Sequence, residues 1–522
     1  MIYVIFKNKK LSKNNKKILT NDKDEDKIEH IGGKLMSSIF ICGIILSILQ
    51  SILFWEKEPG ISVLLFMSSF IIGLIYLMYK HKKVENKKAF IFAIPIILLS
   101  ATYFIYHNTL FQTINVLVIL ILTIIMCIYA TRVHVKIQEF LTKAIELLAG
   151  SFESISDVID SLKNKFKKKE DIENEKSAKL KQGVKSFVYA IPVILIVFIL
   201  LMSADSVFAD IFEGIFGEFQ NIFMAENFVK FCLRICVIMI FFFIFSGFFV
   251  NILKKDTMFN SESEEKIVEI HIEKMTINMI LTILNIFYLI FSIIQFTSLF
   301  SKIDTNDFDY ATYARQGFFQ LMIISFINIV MIILAKVNKG NTSNYTKGMS
   351  ILTLLFTIII LLSAFFRMNL YEKAYGYTYL RLFVYYILAT EFILILPIGL
   401  WILDKKIDIL KWTIGIVTVM YVILNFSNIE STIAKRNVDR YFENQEENEI
   451  DLEYLFNHTG TDAIGQMKRL LNAKDETVAK RVKEYLLQEK EDLQDTKTNW
   501  QETNLSEIKA KEELMNIRGN LL

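Results

Sequence analysis

The stretch RMNLYEKAYGYTYLRLFVYYILATEF, from Arg367 to Phe392, is the strongest polar feature of an otherwise apolar chain. Arg367 and Arg381 bracket a connection that carries Tyr371, Tyr375, Gly376 and Thr378. Two guanidinium forks suit a carboxylate or phosphate. Tyrosines supply rigid amphipathic walls, and a glycine lets backbone turn or a ligand approach. An interfacial belt of Tyr and Arg has the same composition, so both readings stand. Glu391 lies roughly 15 Å deeper than Arg381 along a helix. A carboxylate at that depth is costly unless paired, protonated or hydrated. Proton or cation coupling is the functional reading; a hydrogen bond from a neutral carboxyl is the structural one. A secondary polar set comprises Lys230 and Arg234, which share a helix face, and Asn428 and Glu430, which follow the last apolar run. The basic pair could hold an anion, pair with an acid or snorkel outward.

These residues need elements that cross a bilayer. Of 522 residues, 53% are apolar, and they come in runs of membrane-spanning length. The runs are 36–55, 61–79, 89–107, 109–130, 186–204, 229–253, 275–299, 317–336, 348–366, 380–403 and 409–426. In hydrocarbon every backbone group must bond internally, so each run is a helix. The expected fold class is all-α, a polytopic transmembrane helix bundle of eleven helices with a small helical C-terminal tail. With 44 Phe against 19 Gly, its helices pack mainly through bulky side chains. The third and fifth runs, AFIFAIPIILL and SFVYAIPVILI, place Pro95 and Pro192 alike, as chance or a parallel duplication would.

Lysine distribution gives the orientation. Segment 1–35 has nine lysines, the loop KHKKVENKK five, and segment 131–185 twelve Lys and Arg, whereas 205–228 has none. By the positive-inside rule the N-terminus is cytoplasmic and the C-terminus outside. Lys435, Arg436 and Arg440, just after the last run, resist that assignment. The organisation is then a basic segment 1–35, spans in 36–130, a cytoplasmic insertion 131–185, spans in 186–426 and a soluble helical tail 427–522. In the insertion Phe140, Leu141, Ile145, Leu148 and Phe152 form a stripe that could lie in the interface or pack on protein. Its KNKFKKKE patch would attract anionic lipid headgroups. The tail could dock on the membrane part or bind an envelope protein.

Cys42, Cys127, Cys232 and Cys236 lie in or beside apolar runs and imply neither a disulfide framework nor a metal site. No phosphate loop, dinucleotide fingerprint or zinc motif is present, so no cofactor is implied. Nor does any module point to nucleic acid.

The motif R-x-x-L-Y-x-x-x-Y-G-x-T-x-x-R is filled by Arg367, Leu370, Tyr371, Tyr375, Gly376, Thr378 and Arg381. A second, D-x-x-Y-L…D-A-I, is filled by Asp451, Tyr454, Leu455, Asp462, Ala463 and Ile464. In both the chain resembles a family of bacterial multi-pass membrane proteins known as a domain of unknown function of the 4153/4173 type. It departs at Gly465, where the family often has proline. The resemblance implies no substrate or reaction. A secondary transporter of a polar or anionic solute fits the residues first. A membrane-embedded enzyme for a lipid-linked substrate, or a non-catalytic envelope sensor or assembly protein, also fits.

Overall fold

In the computed structural model, the described residues are 22–131, 137–170, 226–253, 273–300, 317–337, 343–403, 406–445, 449–495, 499–515 and 517. Among them are 10 helices long and apolar enough to span a membrane. The expected run 186–204, with Pro192, and most side chains of the KNKFKKKE patch lie outside the described set. The chain forms two compact units, one of residues 1–90 and 124–263, the other of 91–123 and 264–522.

The first unit contains α1 (Asp22–Phe54), α2 (Ile61–Lys80), the end of α4 (Thr109–Thr131), α5 (Ile137–Glu170) and α6 (Glu226–Leu253). α1 and α6 run antiparallel. Arg234 donates from Nε to Ser51 Oγ at 2.7 Å and from a terminal nitrogen to the Ser51 carbonyl at 3.2 Å. Lys230 sits 3.5 Å from Glu56. The basic pair thus meets α1 and the turn after it. At the other end Ser38 Oγ meets His81 Nε2 at 2.9 Å, and the amides of Glu85 and Asn86 donate to the Ala130 carbonyl.

The insertion's helix packs on α6. Asn251 donates to the Leu147 carbonyl at 2.8 Å, and a Cβ on Gly247 would meet the Ser151 carbonyl oxygen at 2.7 Å. Leu147, Ser154 and Val158 are buried on this side, while Ile145, Leu148 and Phe152 are exposed. The stripe expected from the sequence is therefore not the packed face. Close approach selects the small residues Gly247, Ser151 and Ser154 instead.

The second unit holds α3 (Ala93–Ile105), most of α4, then α7 (Lys274–Phe300), α8 (Phe318–Val337), α9 (Asn344–Tyr375), α10 (Tyr379–Leu403) and α11 (Ile409–Phe426). A 3-10 turn, Lys87–Phe92, leads into α3 just before Pro95, whose missing N–H suits a first helical turn. α9 differs from the expectation that Arg367 closes it. The helix continues two turns to Tyr375, and the connection to α10 is only Gly376, Tyr377 and Thr378. Met368, fully buried, and half-buried Tyr371 keep an inward face through those turns.

After α11 the tail folds as α12 (Ile429–Glu443), α13 (Leu452–His458), α14 (Ile464–Met467), α15 (Glu476–Asp495) and α16 (Leu505–Met515). Asn428 caps α12 from a left-handed conformation (φ 45°), and Asp451 caps α13. The tail shares one core with the membrane helices: Phe111 and Leu424 pack in the same buried cluster as Ile433, Leu455, Met467 and Leu486.

Candidate functional site

The arginine-tyrosine connection is built as a helix junction. Gly376 ends α9 at φ +77°, a conformation that disfavours a side chain. The Arg381 guanidinium, buried, returns to this end and donates to the Tyr375 carbonyl at 2.8 Å and to the Gly376 carbonyl. It lies 4.3 Å from the Tyr371 ring centroid and 5.9 Å from that of Tyr375. Tyr371 in turn stacks on Phe318 at 5.9 Å. One nitrogen of the guanidinium fork thus serves the orphan carbonyls of a helix terminus. The space at Gly376 is filled by the tail, since a Cβ there would meet Asn437 Oδ1 at 2.5 Å. Asn437 accepts from the Tyr377 amide at 2.7 Å and donates to its carbonyl at 2.9 Å. The Thr378 carbonyl accepts the Leu382 amide at the start of α10. Arg367 lies against Gly317 (φ +103°), where a Cβ would meet the guanidinium at 2.6 Å.

Glu391 sits on α10, 5% exposed. Its Oε2 is hydrogen-bonded to Ser325 Oγ of α8. One turn along α8, Asn328 accepts from Tyr288 of α7 at 2.6 Å and donates to Thr357 of α9 at 3.1 Å. The neighbouring seam continues in both directions. Asn278 accepts from Thr346 at 2.7 Å, Asn285 from Thr353 at 3.0 Å, and Gln295 from Ser363 at 2.9 Å. Each pair is separated by 68 residues, a constant offset that only parallel helices in fixed register produce. Reading each run for its mean hydropathy overlooks this stripe. The seven-residue spacing of Asn278, Asn285 and Ser292, and of Thr346 and Thr353, is its trace in the sequence.

Ser325 ties its own hydrogen bonds to the protonation of Glu391. Its hydroxyl also lies 2.7 Å from the Met322 carbonyl, which can only accept. One hydroxyl proton cannot serve both that carbonyl and a carboxylate. A Glu391 that carries its own proton can donate it to Ser325 and leave that hydroxyl to Met322, whereas an ionised Glu391 takes the hydroxyl proton itself.

A second cluster lies where the tail meets the ends of α3, α4 and α10. Glu430, buried in the first turn of α12, accepts at Oε1 from the Tyr379 hydroxyl (2.8 Å) and Asn108 Nδ2 (2.9 Å). Its Oε2 accepts from the Gly460 amide at 2.7 Å. Burial pushes its pKa up to about 7 against the pull of the Gly460 and Tyr379 donors. Beside it, His107 donates its amide to Asp462 at 3.1 Å and holds Nδ1 2.6 Å from Glu507. The Glu507 carboxylate raises the imidazole pKa, and burial raises that of Asp462. A small pocket adjoins, lined by Thr102, Tyr106, Asn108, Phe111, Gln112 and Asn425. Of the secondary polar set, Asn428 and Glu430 belong to this unit and Lys230 and Arg234 to the other. His107, Asn108, Tyr379 and Asp462 were not singled out for chemistry by their sequence context, because only the docked tail makes them neighbours.

Residues 93–470 match the model of a domain of unknown function, DUF4153, and this stretch holds both motifs, Glu391 and Glu430. The chain belongs to the DUF4153 family. The family is an uncharacterised one of bacterial membrane proteins. No curated protein and no solved structure matches the chain. The DUF4153 region takes in α12 to α14 of the tail, whereas Asn504 and Glu507 lie beyond it.

Proposed function

We propose that this DUF4153 protein is a secondary transporter of a polar or anionic solute, with Glu391 exchanging a proton during the cycle. The supporting observation is a buried carboxyl on a membrane helix beside a polar seam: Glu391 of α10 is hydrogen-bonded to Ser325 of α8, and one turn along α8 Asn328 joins Tyr288 of α7 to Thr357 of α9. Carriers place substrate and coupling-ion sites near the bilayer midplane, where helices from different parts of the chain meet. A neutral Glu391 bonded to Ser325 fits an occluded, proton-loaded state. Losing the proton would leave a carboxylate facing the Met322 carbonyl across one hydroxyl, so deprotonation requires water or substrate to enter. Pro397, on the same helix, removes one backbone bond close to the site and gives α10 a place to bend.

Capacitive current recording on reconstituted protein tests this reading. Concentration jumps of small carboxylates, inorganic phosphate and amino acids are applied across a pH series. At least one solute should evoke a pH-dependent current in the wild type. The Glu391→Gln variant, checked for equal reconstitution, should lose the pH dependence. Silence towards every solute, or an unaltered pH profile in the variant, would exclude the proposal.

A further inference from the structure

The Glu430 cluster joins three parts of the chain that are far apart in sequence. Asn108 opens α4, Tyr379 opens α10, and Gly460 belongs to the tail. The same junction carries Asn504 of the tail, which donates to the Tyr103 and Tyr106 carbonyls at 2.9 Å each. We propose that this junction is a proton-sensitive clasp, which holds the tail on the membrane helices at acidic pH and loosens as pH rises to neutrality.

The charge inventory sets the direction. Facing the junction are Glu430 from α12, Asp462 from the turn before α14, and Glu507 and Lys509 from α16. His107 comes from the α3–α4 connection, and Tyr106, Tyr379, Tyr454 and Tyr485 supply phenols. Three carboxylates therefore meet one imidazole and one ammonium. At low pH Glu430 is neutral and His107 is an imidazolium beside Glu507. At high pH the imidazolium is lost, and the Glu430 and Asp462 charges stand close together in a water-poor site.

Each titration acts in the same sense. A buried acid with a raised pKa binds its proton in the docked state where a free one would not, so docking weakens as pH climbs from the free value of 4.5 to about 7. His107, raised by Glu507, favours docking below its free value of 6.5 and loses that contribution as pH passes through its docked value.

The test is hydrogen exchange of the full-length protein in nanodiscs at pH 6, 7 and 8, corrected for intrinsic exchange rates. Amides in 459–467 and 505–515 should exchange at least tenfold faster at pH 8 than at pH 6, while those of α8 stay unchanged. The His107→Gln and Glu430→Gln variants should each flatten that dependence. Tail protection that does not change with pH in the wild type overturns the clasp. So does a pH slope that survives both substitutions.

Discussion

At the scale of single residues, Arg381 shows how far side-chain type alone can be read. A guanidinium at the start of a membrane helix, among tyrosines, is equally suited to a bound anion and to a structural contact. Its five donors do not distinguish a carboxylate from a carbonyl. The sequence carries the motif but not the acceptor, because the acceptor is created only when α9 runs on to Tyr375 and ends at Gly376. Arg381→Lys should therefore lower stability. Lysine keeps the charge but cannot span both carbonyls while lying flat over Tyr371. The loss should be about 1–3 kcal/mol. It is read as a fall in Tm of several degrees for the detergent-solubilised protein. An unchanged Tm with impaired function would instead point to an anion held by this side chain. Glu391 is legible at this scale, since an acid within an apolar run stands out; its partner Ser325 is not, serine being common in membrane helices.

Whole elements were easier to read than their partners. Ten of the eleven apolar runs correspond to spanning helices, nine of them within a few residues and the run 348–366 extended by two turns at its end, because the bilayer sets both length and composition. What hydropathy cannot carry is pairing, and here pairing follows the polar seam between α7 and α9. Lipid is as apolar as leucine, so burial alone gives two such helices little reason to choose a register. Three hydrogen-bonded pairs at an offset of 68 residues fix it. Asn285→Leu and Thr353→Val should each destabilise the unit, and the double variant should cost less than their sum. The coupling should be about 0.6–2 kcal/mol, the range for hydrogen bonds between membrane helices. Unfolding titrations of the four proteins of the cycle measure it. Strict additivity would mean that the pair contributes nothing to register. The insertion helix illustrates the same limit. Its apolar stripe was visible, but close packing on Gly247 selected the neighbouring face with Ser151 and Ser154.

For the whole molecule, the question that lysine counting leaves open is the side of the tail, because Lys435, Arg436 and Arg440 follow the last span. For Arg436 and Arg440, packing supplies a reason that is independent of the membrane. Arg436 lies 5.7 Å from the Tyr377 ring centroid, and Arg440 approaches Gly376, where a Cβ would meet it at 3.1 Å. They dock α12 on the α9–α10 connection, so their sign says little about the compartment. Within the second unit the tail bonds to Tyr103, Tyr106, His107, Tyr377 and Tyr379, all at the α3–α4 and α9–α10 connections. The span Lys87–Ile105 separates that end from the lysine-rich loop containing Lys82, Lys83, Lys87 and Lys88. In the first unit, α4 ends beside Glu85, whereas α6 starts beside Ser51 and Glu56. With the lysine-rich loop inside, the tail is expected outside. Single cysteines on a background lacking Cys42, Cys127, Cys232 and Cys236 test this in cells with a permeable wall. Lys435→Cys should react with an impermeant maleimide before lysis, and Lys88→Cys only afterwards. The reverse pattern would place the tail in the cytoplasm, and the proton-sensitive junction at Glu430 would then face cytoplasmic rather than external pH.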